Sequence, residues 1–120
     1  MAVRAVRGAI QVDANERDDI LQGTSELVTE VLRRNEIDAE DLISIVFTAT
    51  PDLNADFPAY AARLLGLVDV PLLCTTEIAV PGAMPRVLRL MAHVETQRPR
   101  AEIRHVYLRG AAALRTDLPQ

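Results

Sequence analysis

From Glu16 to Arg34, residues Ile20, Leu21, Thr24, Leu27, Val28, Val31 and Leu32 recur at helical spacing, a stripe of about four turns. Asn15 is the expected N-cap. Glu16, Asp18 and Asp19 stand in the first turn and Arg33 and Arg34 in the last, which complements the helix dipole. The segments on both sides read as strands. Val3–Val12 alternates loosely, and its Gly8 marks a bulge or a close backbone approach. After a polar connection, Leu42–Ala49 (LISIVFTA) is a β-branched and aromatic run, hence a buried strand. It stops at the turn signature Thr50-Pro51-Asp52.

Pro58 opens a short helix through Leu65, closed by Gly66. Val68–Cys74 is strand-like but interrupted by Pro71, which predicts an edge or irregular strand. In Arg86–Val94, Val87, Leu90, Met91 and Val94 fit helical spacing, so periodicity favours a helix over the competing strand. A polar loop with Pro99 leads to a strand over Ile103–Leu108, and a flexible tail is expected from about residue 113. The chain has 120 residues and no repeat or linker, so residues 1–120 are expected to form one domain.

The charge balance excludes several partners. Thirteen basic residues, all arginine, stand against 17 acidic ones for a net charge of −4, so nonspecific binding to nucleic acid or anionic lipid is not expected. The lone Cys74 excludes an internal disulfide. No apolar run is long enough to span a membrane and the N-terminal residues lack a signal-peptide core, so a cytoplasmic protein is the default expectation.

The common catalytic signatures are missing. His93 and His105 lack zinc-site spacing and read as structural, Ser25 and Ser44 sit in no nucleophile elbow, and there is no phosphate-binding loop. No metal or cofactor is expected. What remains is arginines beside apolar segments: Arg7 before Gly8, Arg63 on the short helix, Arg89 among Leu88, Leu90 and Met91, and Arg115 after a small apolar run. A guanidinium near a core needs an anionic partner. With Cys74 and Glu77 in one polar turn, these positions point to an anion-binding cleft.

The ordered fragments Arg4-x-x-Arg7-Gly8, Thr48-Ala-Thr-Pro-Asp-Leu53, Phe57-Pro58, Arg63, Val70-Pro71-x-x-Cys74-x-x-Glu77, Val80-Pro-Gly82, Arg89 and Ile103-Arg-His-Val-Tyr-Leu108 resemble the AroH-type monofunctional chorismate mutases from about Arg4 to Leu118. Each fragment is weak alone; their order and spacing together are specific. The resemblance implies an α+β fold: a mixed β-sheet with one long and one short helix against it, assembled as a trimeric pseudo-α/β-barrel with active sites between subunits. It also implies that Arg86–Val94 is a strand, and that reading is adopted over the periodicity.

The resemblance further implies rearrangement of chorismate to prephenate, a step in phenylalanine and tyrosine biosynthesis that needs neither nucleophile nor acid–base pair. Arg89 is then the cation at the ether oxygen, Glu77 accepts from the substrate hydroxyl, and Cys74 lies beside it or is a small buried hydrophobe. Arg7 and Tyr107 bind a substrate carboxylate. A neighbouring subunit contributes Phe57, Ala59 and Arg63, Leu73 and Leu114 wall the pocket, and Arg115 helps close it. Tyr60 stands where some members carry a basic residue and Leu73 where some have threonine, departures that bear on affinity. Two alternatives stay open: a YjgF/RidA-like enamine/imine deaminase, which also holds a carboxylate with an interfacial arginine, and a noncatalytic carboxylate-binding trimer.

Overall fold

The structure, a computed structural model, describes residues 1–115; the end of the expected tail, residues 116–120, lies outside them. Strands β1 (Ala2–Gln11) and β2 (Leu42–Ala49) flank the long strand β4 (Val87–Thr96), both antiparallel to it. The short strands β3 (Leu72–Thr76) and β5 (Val106–Leu108) extend the sheet at its two edges, each parallel to its neighbour, in the order β3-β2-β4-β1-β5. Helix α1 (Arg17–Arg34) connects β1 to β2, and α2 (Pro58–Leu64) connects β2 to β3. The expected mixed α+β arrangement of one long and one short helix is therefore present.

Alternation along the strands explains the layering. Val6, Ile10, Ile45, Phe47, Leu88, Leu90, Ala92 and Val94 point to one face, where they meet Ile20, Leu27, Val28 and Val31 of α1 and Ala59 and Ala62 of α2. Burying a large apolar side chain in this layer contributes about 1.5–3 kcal/mol. Gly8 lets α1 approach: an added Cβ would meet Leu27 Cδ1 at 3.0 Å. The β1–β4 register runs unbroken through Gly8, so of the two expected roles it fills the close approach and not the bulge. The irregularity lies in β2, between Leu42 and Ser44.

Several boundaries differ from expectation. The N-cap of α1 is Glu16, with no side-chain capping bond. Asn15 instead secures the loop before α2: its Oδ1 accepts the N–H groups of Asn54 at 2.9 Å and Ala55 at 3.1 Å, and its Nδ2 donates to Asn54 Oδ1 at 2.8 Å. Residues 68–71 precede β3 instead of belonging to it. Pro71 needs no donor there, since its carbonyl accepts the Ile45 N–H at 3.0 Å. The last strand begins only at Val106, because a 3₁₀ turn at Arg100–Glu102 leads into Ile103. Residues 87–96 are strand and not helix, as the resemblance implied for the Arg86–Val94 segment; Leu114 closes a 3₁₀ helix over Arg109–Leu114.

Candidate active site

The face of the sheet away from α1 and α2 carries the polar side chains of the central strands. Register fixes which ones meet. Thr75, Thr48, Arg89, Ala9 and Tyr107 form one row across all five strands. Leu73, Val46, Met91 and Arg7 form the next row on the same face, two residues along each strand. Together with Glu77, just past the end of β3, these rows bound a recess of about 320 Å³ lined by Arg7, Thr48, Glu77, Arg89, Met91 and Tyr107.

Arg89 projects from the central strand into this recess. Its Nε is buried, has no hydrogen bond among the described residues, and lies 3.4 Å from Glu77 Oε1. The side chain as a whole keeps 41% of its exposure, so the far end of the guanidinium opens to the recess. Glu77 is held at two points. Its N–H donates to the Ala49 carbonyl at 2.9 Å, and its Oε1 accepts the Thr48 hydroxyl at 2.7 Å. Two guanidiniums against one carboxylate leave the recess an excess positive charge.

Arg7 lies beside Met91 on β1, and its N–H donates to Nδ1 of His105 at 3.0 Å. Burial, then the charges of Arg7 and Arg115, push the His105 imidazole below its ordinary pKa. Tyr107 is buried in a small apolar cluster with Ala9, Val87 and Ala111, against which Leu114 packs. Asn35, itself buried, grips Arg104, the residue before His105: its Oδ1 accepts the Arg104 N–H at 2.7 Å and its Nδ2 donates to the Arg104 carbonyl at 2.9 Å.

The other expected site residues fall elsewhere in the chain. Strand alternation turns Cys74 to the helix side, where it packs on the core and lines a second recess with Phe57. It is therefore not beside Glu77 within one subunit. Phe57 is 71% exposed at the start of α2, Ala59 is buried beneath that helix, and Arg63 is exposed in its last turn. Leu73 is exposed on the helix-free face next to Val46. Arg115 has its charge close enough to act on His105. The sequence reading missed Thr48 as the anchor of Glu77, and His105 as a partner of Arg7. Thr48 was visible only as part of a motif, and His105 only as a structural histidine.

The chorismate mutase type I family matches residues 3–118. The chain belongs to that family. It is 47% identical to chorismate mutase AroH of Thermus thermophilus over 117 residues, covering 97% of this chain and 96% of the relative. It is 40% identical to chorismate mutase AroH of Bacillus subtilis (strain 168) over 119 residues, covering 98% and 94%. Among solved structures, a chorismate mutase from Clostridium thermocellum superposes with a TM-score of 0.91 at 44% identity, covering 92% of this chain and 98% of that one. Membership of the type I chorismate mutases favours this reading over the deaminase alternative. Among the described residues no helix is long and apolar enough to cross a membrane.

Proposed function

We propose that this chain is a chorismate mutase that converts chorismate to prephenate in the recess of Arg7, Glu77, Arg89 and Tyr107. The reaction breaks a C–O bond as a C–C bond forms, within one molecule, and no net proton moves. The catalytic task is to hold a flexible dianion in a compact conformer and to stabilise charge that appears on the breaking ether oxygen. An acceleration on the order of a millionfold corresponds to about 8 kcal/mol, more than one hydrogen bond supplies. Positioning and electrostatics therefore act together.

The observation that carries the assignment of roles is Arg89: a cation on the central strand, set beside Glu77, with its outer donors open to the recess. A cation fixed before the reaction stabilises the transition state more than the ground state, because the oxygen it faces becomes negative only in between. Glu77, held by Thr48, accepts from the substrate hydroxyl and keeps Arg89 in place. Arg7 and Tyr107, on neighbouring strands, bind one carboxylate. Leu114 and Arg115 border the same side.

We further infer a homotrimer with sites between subunits, in which each recess is completed by Phe57, Ala59 and Arg63 of a neighbour. Support comes from the exposure of Phe57 and Arg63, which face away from their own chain's recess, and from the apolar Leu73 and Met91 on a sheet face that neither α1 nor α2 covers. Tyr60 and Leu73, where this sequence departs from some relatives, tune affinity at that junction. Cys74 serves as a small apolar packing residue. The 120 residues act as one domain.

The test is direct. Incubation with chorismate, followed by ultraviolet absorbance, should show its loss with formation of prephenate; a folded protein without turnover overturns the assignment. Mixing Arg89→Ala and Arg63→Ala subunits tests the shared site, since some mixed trimers regain a recess with both arginines. Failure to recover any activity on subunit exchange, or a fully active monomer in sedimentation, overturns the trimer.

A further inference from the structure

We propose that His105 is a positioning residue for Arg7: its unprotonated Nδ1 holds the Arg7 main chain in register, and uptake of a proton releases it. This rests on the reading of Arg7 as a ligand of the substrate carboxylate. Strand β5 pairs with β1 from Gly8↔Val106 onward. One residue earlier the Arg7 N–H donates to the His105 ring at 3.0 Å, so a side chain continues the edge where the strand has ended. A ring nitrogen accepts only while it carries no proton, which makes Nε2–H the tautomer present.

The surroundings reinforce that state. His105 shares a recess of about 520 Å³ with Arg4, Arg7, His93 and Arg100, and Arg115 acts on it from beyond the 3₁₀ helix. Among the described residues no carboxylate lines this recess. A proton added at Nδ1 sets two donors face to face and places a further cation beside Arg7. Because the folded protein favours the neutral imidazole, the hold is complete above the ordinary histidine range and fails as pH falls through the lowered value.

Charge and positioning predict opposite results. An extra cation acting only through its field would strengthen binding of a dianionic substrate in acid, lowering KM. Release of Arg7 raises KM instead. The expected result is a several-fold rise in chorismate KM between about pH 8 and about pH 5, with kcat changing less. His105→Ala should raise KM at neutral pH and converge with the parent in acid, where the parent contact is already released. In His105→Asn, whose amide oxygen replaces Nδ1 as acceptor, KM should return toward the parent value at neutral pH and lose its acid rise.

A falling KM in acid, or an acid rise retained in His105→Asn, overturns the proposal. Nitrogen NMR of the unaltered protein gives a reading independent of activity. The His105 ring should be the Nε2–H tautomer, and the Arg7 amide signal should shift with the midpoint of its titration. An Nδ1–H ring or an unresponsive Arg7 amide overturns the link. Absence of turnover at every pH would instead overturn the chorismate reading, with the NMR result still deciding the His105–Arg7 contact.

Discussion

Thr48 and Glu77, 29 positions apart in sequence, are joined by a 2.7 Å hydrogen bond that sets the acceptor oxygen 3.4 Å from Arg89 Nε. The threonine supplies no charge and touches no reacting atom in the proposed mechanism. In that mechanism it fixes the carboxylate that fixes the arginine. Thr48→Val keeps the β-branched shape and removes only the donor. The expected effect is a loss in kcat/KM of about tenfold, as for one hydrogen bond to a charged group. Steady-state kinetics with an unchanged circular dichroism spectrum check it; parent-level kcat/KM would show that Glu77 holds its place without Thr48.

Arg89→Ala should lower kcat by a factor on the order of 10²–10³, the scale of losing one preorganised transition-state donor. Arg63→Ala should mainly raise KM, because its proposed carboxylate is charged throughout the reaction. The two variants are compared by full saturation curves. A folded Arg89→Ala enzyme with near-normal kcat would remove the central role assigned to this residue.

Thr24 is fully buried in α1 and its hydroxyl makes no hydrogen bond among the described residues. Such a group costs desolvation with nothing to offset it. Thr24→Val, of nearly the same shape, should stabilise the fold by about 1 kcal/mol. A higher urea midpoint at constant slope checks this.

Glu30 accepts from Arg33 at 2.6 Å and from Arg34 at 3.1 Å on the last turns of α1. The Arg33 hydrogen bond, with help from Arg34 and against some desolvation, lowers the carboxyl from 4.5 to about 2. A lowered carboxyl contributes stability above its unfolded value, and that contribution is lost as pH falls from about 4.5 through about 2. The site is near the surface, so solvent screening limits it to about 1 kcal/mol or less. Glu30→Gln should be less stable than the parent at neutral pH and converge with it in acid, as followed by urea midpoints across pH.

Local signals identified α1, α2, β1 and β2, because helical spacing, Pro58 with Gly66, and the run LISIVFTA each act over a few residues. They misread residues 86–94. Leu88, Leu90, Ala92 and Val94 follow strand alternation, but Val87 is buried on the opposite face by the Tyr107 cluster, and Met91 is apolar on the open face. Apolar residues on both faces mimic a helical period. Asn15 looked like a cap because its type and place suit one, while the loop at Asn54 competes for the same oxygen.

Of the residues that line the recess, Arg7, Glu77, Arg89 and Tyr107 were singled out through the ordered motifs. That Thr48 lies in one row with Arg89, and that Cys74 turns to the opposite face of its own sheet, follows from register and pleat, which only long-range pairing determines.

The row that joins Thr48, Arg89, Ala9 and Tyr107 draws on four strands from distant parts of the chain. No fragment holding only β1, or only β2 and β3, brings these groups together. Competence therefore requires all four strands to be paired and, in the proposed trimer, the neighbouring subunit docked, so enzymatic turnover reports on completed folding and assembly together. A refolding trace read by activity should lag one read by helix signal.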